Sequence, residues 1–151
     1  MIRKAEEGDL AAAAALAAAL WPENEAAALA EEFRALLKSG KGALFLASEA
    51  GTEAGFAQVQ LRHDYVEGTE TSPVGYLEGI YVREEARGRG VARGLLAACE
   101  AWAADRGCRE FASDCELDNA ASQAFHLRAG FTEANRIICF VKTLKQEEGT
   151  E

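Results

Sequence analysis

Hydrophobic positions recur along the chain in two rhythms, and the switches between them mark out strands and helices. Ile2-Arg3-Lys4 opens as a short strand. The run LAAAAALAAAL from Leu10 to Leu20 is a strong helix former. Asp9 suits its N-cap. Trp21-Pro22 ends it, because the residue before a proline is pushed out of the helical region. A second helix is predicted over about 24–38, with Leu29, Phe33, Leu36 and Leu37 on one side and Ser39-Gly40 closing it. The period then falls to two. ALFLAS (43–48) and GFAQVQL (55–61) read as a hairpin around a turn at 49–52. A long polar, acidic stretch follows over 62–75, and loops of that length in a compact domain are usually functional or disordered. YLEGIYV (76–82) is a strand with Gly79 in its interior, which marks a bulge or a close backbone approach. Val91, Leu95, Cys99 and Trp102 stand at helical spacing, and Gly107 ends that helix. EFASDC (110–115) is the next strand. Asn119 caps a short helix that Gly130 stops, and Phe131 with RIICFVK (136–142) forms the last strand.

The order β-α-α-β-β-β-α-β-α-β describes a mixed α/β class in a single domain over 1–144, followed by a polar tail, 145–151, expected to be disordered. The length of 151 residues suits one domain with a proper core. The apolar run at 10–21 is too short to span a bilayer, no secretory or lipidation signal is visible, and no membrane partner is expected. Cys99, Cys108, Cys115 and Cys139 form no CxxC pair, and only His63 and His126 are available beside them. No metal site is therefore expected, and reduced thiols in a cytoplasmic protein are the plain reading. The net charge of -9 argues against nucleic acid as a partner and suits a cationic one.

Against that acidic background, RGRGVARG (87–94) gathers three arginines and three glycines between a strand and a helix N-terminus. The first turn of a helix has N–H groups with no internal partner, and the helix dipole favours an anion there. Glycines let a phosphate approach the backbone, and arginines can add charge around it. The pattern is neither GxxxxGK[ST] nor GxGxxG, so nucleoside triphosphate and dinucleotide sites lose ground. A plain turn and an RNA-binding arginine-glycine segment are the alternatives. The latter are usually repeated and disordered, whereas this one is single.

Arg87-x-x-Gly90-x-Ala92, after the strand over 77–82, resembles the acetyl-CoA signature of the GNAT superfamily of N-acetyltransferases. Asn119, Ser122, His126 and Gly130-Phe131 resemble its NxxAxxxYxxxGF pattern with two substitutions. LWP (20–22), RHDYV (62–66), SPV (72–74), LEGI (77–80) and CREFASD (108–114) are similar to the aminoglycoside 6′-N-acetyltransferases over about residues 2–143. The resemblance implies the GNAT fold: a mixed, mostly antiparallel central sheet with helices on both faces and a splayed strand pair at the acetyl-CoA site. It also implies a homodimer, acetyl-CoA as co-substrate, a cationic aminoglycoside as acceptor, and antibiotic resistance as the outcome.

On that resemblance, the backbone of Ile80, Tyr81 and Val82 lines the pantetheine arm. The segment Gly88, Arg89, Gly90, Val91, Ala92 and Arg93, with Arg87 before it, holds the pyrophosphate, and Asn119 contacts the cofactor. Trp21, Tyr65, Glu78 and Asp114 surround the antibiotic, as does the position of Asn135. The aromatic pair offers apolar faces with polar handles to sugar rings. Glu78 and Asp114 are the candidate bases, unranked. A backbone N–H near Tyr81 or Val82 can stabilise the charged oxygen. His126 stands where the superfamily usually has a tyrosine acid, and histidine as a residue type can do the same work. Plain readings exist for each: Trp21 as a helix-end cap, Tyr65 as a surface aromatic, Asp114 as a turn cap, His126 as a packed helix residue. Glu78 is more telling, because carboxylates in apolar strands are rare unless paired. His63 is taken as structural or superficial. No cysteine has a nucleophile's setting, since Cys115 should face away from Asp114, so direct transfer is expected.

Two departures bear on specificity. Asn135 stands where close relatives usually carry an acidic residue, and Glu23-Asn24-Glu25 follows Trp21-Pro22. The rival functions are acetylation of a polyamine or a protein amine on the same fold, and a non-catalytic acyl-CoA sensor.

Overall fold

The computed structural model describes residues 1–147. Five strands form one sheet in the order β1-β2-β3-β4-β5: β1 Ile2–Lys4, β2 Gly42–Glu49, β3 Thr52–Arg62, β4 Val74–Val82 and β5 Phe111–Ser113. The first four are antiparallel neighbours, and β5 joins β4 in parallel. Four helices complete the α/β fold: α1 Leu10–Leu20, α2 Ala26–Ser39, α3 Val91–Asp105 and α4 Ala120–Arg128.

Period-two alternation divides the core into two layers. Ala43, Phe45 and Ala47 of β2 join Ala57 and Val59 of β3 against Leu95, Cys99 and Trp102 of α3. Leu44 and Leu46, one residue out of phase, join Phe56 against α1 and α2. The sheet thus carries helices on both faces, and β2 is buried from Gly42 to Ala47. On α1, Leu10, Ala13, Ala14, Leu16 and Ala17 are buried. Small side chains there let the helix lie close to the sheet, so its end, and Trp21 with it, comes over β4.

The local signals work as their chemistry dictates. Gly40 closes α2 at φ 69°, in the left-handed region that glycine favours. Ala50 and Gly51, at φ 52° and 80°, make the tight turn of the β2–β3 hairpin. Asn119 accepts a hydrogen bond from the Ser122 N–H at 3.0 Å and caps α4.

Asp9 does not cap α1. Its carboxylate takes the two-pronged grip of the Arg3 guanidinium, at 2.7 and 2.8 Å, and accepts the Glu6 N–H at 2.8 Å. A single turn, Glu7–Asp9, precedes the helix instead. The Arg3 contact, followed by that N–H, holds the Asp9 carboxyl at about 2, below the usual range.

The final strand expected over 136–142 does not form. Residues 132–147 carry no helix or strand and are exposed, with Ile138 at 80%, Phe140 at 91% and Val141 at 96%. An extended segment gains ladder hydrogen bonds only beside another strand, and among the described residues no strand pairs with it. β5 is shorter than expected for a related reason: it is the sheet's edge and pairs on one side only. Of the tail, residues 145–147 are exposed, and 148–151 lie outside the described residues.

Phe56 is fully buried and touches the rings of both Trp21 and Phe33, at 6.1 and 6.2 Å between centroids. Phe56→Ala should cost about 3–5 kcal/mol of stability, read from urea unfolding. A loss below about 1 kcal/mol would show that this face of the sheet is not packed as described.

Candidate active site

The site begins where β4 and β5 part. Their pairing runs Gly75–Phe111, Tyr76–Ala112, Leu77–Ser113 and stops. β4 continues to Val82, so no strand lies beside Glu78, Gly79, Ile80, Tyr81 and Val82 on that side. Opposite β3 the register jumps, with Gln58 facing Gly79 and Val59 facing Leu77. Glu78 is therefore the extra residue of a β-bulge, a device that bends a strand and re-aims a side chain. Gly79 is needed for a second reason. A Cβ there would stand 2.6 Å from the Trp21 ring, which lies directly on the backbone.

Four polar side chains converge at the bulge. The Arg62 guanidinium donates from Nε and Nη2 to Glu78 Oε1, at 3.0 and 2.7 Å, and from Nη2 to Oε2 at 3.0 Å. On the way it lies flat over the Tyr76 ring, 3.5 Å from its centroid. The Tyr76 hydroxyl donates to Asp114 Oδ2. Burial, and then that carboxylate, hold the phenol well above its ordinary range, so it remains a donor. Both candidate bases thus belong to one chain of contacts, and they differ in partner: Glu78 holds a full cation, Asp114 a neutral hydroxyl.

Trp21 stands over Gly79 with its edge to Phe56. Tyr65 is 76% exposed, on the loop between β3 and β4. That loop is held by Glu110, whose carboxylate accepts the N–H of Glu70 at 2.9 Å and of Thr71 at 2.8 Å. Asn135 donates to Glu67 Oε1 of the same loop at 2.7 Å. Asn135 is thus tied to the loop and not to the Glu78–Asp114 cluster. His63 is exposed.

Past Val82, a single turn (Glu84–Ala86) leads into the glycine-arginine segment. Gly88 and Gly90 take φ 78° and 81°, and Gly90 is the N-cap of α3. The Gly94 N–H reaches Gly90 O at 3.0 Å. The N–H groups from Gly88 to Arg93 find no backbone acceptor among the described residues. They form a row of donors at the head of a helix, with open space where either glycine's Cβ would be. The arginines are busier than expected. Arg87 Nε donates to Val82 O at 2.8 Å, Arg89 pairs with Glu49 at 3.0 Å, and Arg93 donates to Arg128 O at 2.6 Å. They brace the turn against β4, the hairpin and α4, and the backbone N–H groups from Gly88 to Arg93 are left without a protein acceptor among the described residues.

His126 is tied at both nitrogens, Nδ1 to Ser122 O at 2.7 Å and Nε2 to Ser113 Oγ at 2.9 Å. Its ring packs against Phe125 and Phe131. It touches the mouth of the splay only through the Ser113 hydroxyl, which also lies 3.3 Å from Leu77 O. Asn119 is exposed at the head of α4. Burial pushes the Cys99 thiol up to about 12, which removes it as a nucleophile.

Past the opening of the strand pair, the chain thus runs on to a row of helix-head donors, Gly88 to Arg93. The model of the acetyltransferase (GNAT) family matches residues 11–131. The chain belongs to the GNAT acetyltransferases. An aminoglycoside N(6′)-acetyltransferase type 1 of Stenotrophomonas maltophilia is 49% identical over 140 residues, covering 92% of this chain and 90% of that one. The protein of the same name from Serratia marcescens is 42% identical, covering 95% and 99%. Among solved structures, the aminoglycoside N-acetyltransferase AAC(6′)-Iy in complex with CoA superposes with a TM-score of 0.92 at 39% identity, covering 95% of each chain. The same enzyme with a bisubstrate analogue, CoA-S-monomethyl-acetylneamine, gives 0.91 at 39% identity, covering 95% and 98%. The GNAT fold expected from the sequence is thus observed, its splayed pair included.

Sequence reasoning passed over Tyr76 and Glu110, and saw Arg62 only as the first residue of RHDYV (62–66). Tyr76 was within reach, because period two puts it on the same side of β4 as Glu78. Arg62 gave no such signal.

Gly79→Ala should cost about 1–3 kcal/mol by driving a methyl into the Trp21 ring, as measured by urea unfolding. Unchanged stability would show that Trp21 does not rest on this backbone.

Proposed function

We propose that the protein is an aminoglycoside 6′-N-acetyltransferase. It would transfer acetyl directly from acetyl-CoA to a 6′-amine and so blunt the antibiotic. The observation that carries this is the Glu78–Arg62–Tyr76–Asp114 cluster beside the Trp21 ring at the mouth of the splay. It joins a carboxylate without a counter-ion, Asp114, for an ammonium group with an aromatic face for a sugar ring. The two relatives named above, similar over nearly their whole length, support the same acceptor.

Acetyl-CoA supplies the acetyl group as a thioester. The free N–H groups from Gly88 to Arg93 hold its diphosphate, and the unpaired side of β4 at Ile80–Val82 takes its pantetheine arm. Asn119 borders it from α4. A backbone N–H at Tyr81 or Val82 faces the acetyl oxygen and stabilises the charge that gathers there. Asp114, with one oxygen engaged by Tyr76, uses the other to draw the amine in and to accept its proton, directly or through water. As the carbon–nitrogen bond forms and the carbon–sulfur bond breaks, a proton must reach the sulfur. His126 can supply it through the Ser113 hydroxyl. The sugar rings lie against Trp21, with Tyr65 at the rim. Glu78 is a structural partner in this reading, and Asn135 acts on the loop at Glu67.

The working form is a homodimer. Ile137, Ile138, Phe140, Val141 and Leu144 are too many large apolar residues to leave in water. The 136–142 run is apolar on both faces, as a covered strand is, and the outer edge of β5 is open. A second copy accounts for both if each chain lends this segment to the other. The four free cysteines suit a reducing compartment, the cytoplasm.

Mass spectrometry of kanamycin incubated with acetyl-CoA and the protein should show one added acetyl, placed on the 6′-amine by fragmentation. Spermidine acetylated in its stead would replace the acceptor class. Asp114→Asn should cut kcat at least about 100-fold with acetyl-CoA affinity unchanged, and equal turnover would remove Asp114 from the chemistry. Light scattering should return twice the mass of one chain, falling to a single mass when Ile138 and Phe140 are both replaced by aspartate. A monomeric parent would refute the exchange.

A further inference from the structure

The proposed reaction sets two demands that conflict. Carboxylates are needed to draw in a polycation, yet the attacking amine must be neutral. An ammonium beside two uncompensated carboxylates is stabilised in its charged, non-nucleophilic form. The structure resolves this through Arg62, at the end of β3. It spans the Tyr76 ring and closes on both oxygens of Glu78, whose side chain is 20% exposed.

We propose that Arg62 is a positioning residue that cancels Glu78, leaving Asp114 as the one uncompensated carboxylate and letting the bound amine shed its proton. The proposal rests on the aminoglycoside reading above. Three features of the site bear on it. Arg62 cannot be neutralised in a protein, so its compensation is permanent across the working pH range. The Tyr76 ring fixes the guanidinium plane by stacking, and its hydroxyl, kept protonated, fixes Asp114. The other elements at the cluster add no opposing cation. α1, which brings Trp21 over β4, has only alanine and leucine along its length. Glu78 is engaged by Arg62 from β3, Arg62 lies on the Tyr76 ring of β4, and Tyr76 in turn holds Asp114 beyond β5. His63, Asp64, Glu67 and Glu70 lie on the loop outside.

The test is the pH dependence of kcat for kanamycin acetylation, from pH 5.5 to 9.5, with the full chain. In the parent, kcat rises with pH as the bound amine loses its proton. Arg62→Gln exposes the Glu78 charge to the amine, so this limb should move up by about one pH unit, and KM for kanamycin should fall. Arg62→Lys, which keeps the charge, should leave the limb where the parent has it. Arg62→Gln combined with Glu78→Gln removes both charges and should bring the limb back. A merely structural role for Arg62 would lower the amount of active enzyme in every variant without moving the limb. A limb in Arg62→Gln that coincides with the parent's overturns the proposal while sparing the activity. If Arg62→Gln does not fold, Glu78→Gln alone decides: it leaves the Arg62 charge uncompensated and should move the limb down by about one pH unit, and a limb that coincides with the parent's overturns the proposal. A parent that acetylates spermidine but not kanamycin, or neither, overturns the aminoglycoside reading, and this inference with it.

Discussion

The molecule turns on the parting of two parallel strands. β4 and β5 share three residue pairs, ending at Leu77 and Ser113, and then separate. A lone strand edge with free backbone groups is ordinarily a liability. Here it lies within the sheet and ends at the head of α3, where a second row of free N–H groups waits. Two local features shape the strand there. The bulge at Glu78 bends β4, and Arg87 ties the loop back to Val82 O.

The two-sided core explains how so short a chain keeps an open cleft. β2 and β3 are buried on both faces, and alternate residues feed separate clusters. β2 and β3 are thereby clamped between helices, while β5 pairs with β4 over three residues only. A bare alanine-leucine helix, α1, delivers Trp21 onto a glycine. Change the glycine or the length of that helix and the aromatic face is misplaced. Charge follows a similar economy. The chain is acidic, yet in the cluster only Asp114 remains without a counter-ion, because Arg62 is committed to Glu78.

Much of this was legible in the sequence because local chemistry fixes it. The helices, the hairpin, the Gly40 and Asn119 caps and the role of Gly79 follow from propensity, period and steric need. The glycines of the anion loop do too. Asp9 misled because Arg3, six residues earlier and across a turn, outbid the helix N-terminus for its carboxylate. The segment over 136–142 has a strand's composition but needs an edge that its own chain does not offer at that place. The Arg62–Glu78 pair was hidden for a different reason. Arg62 faces Val74 in register, and only its length, laid along Tyr76, carries it to Glu78. No spacing rule encodes that reach.

In the proposed reaction the open side of β4 and the head of α3 act as one cradle. Backbone hydrogen exchange with and without CoA tests it most directly. The account predicts slowed exchange together at Ile80–Val82 and at Gly88–Arg93, with little change in the β1–β2 half of the sheet. Protection at one of these segments without the other, or at neither while CoA is bound, would contradict it.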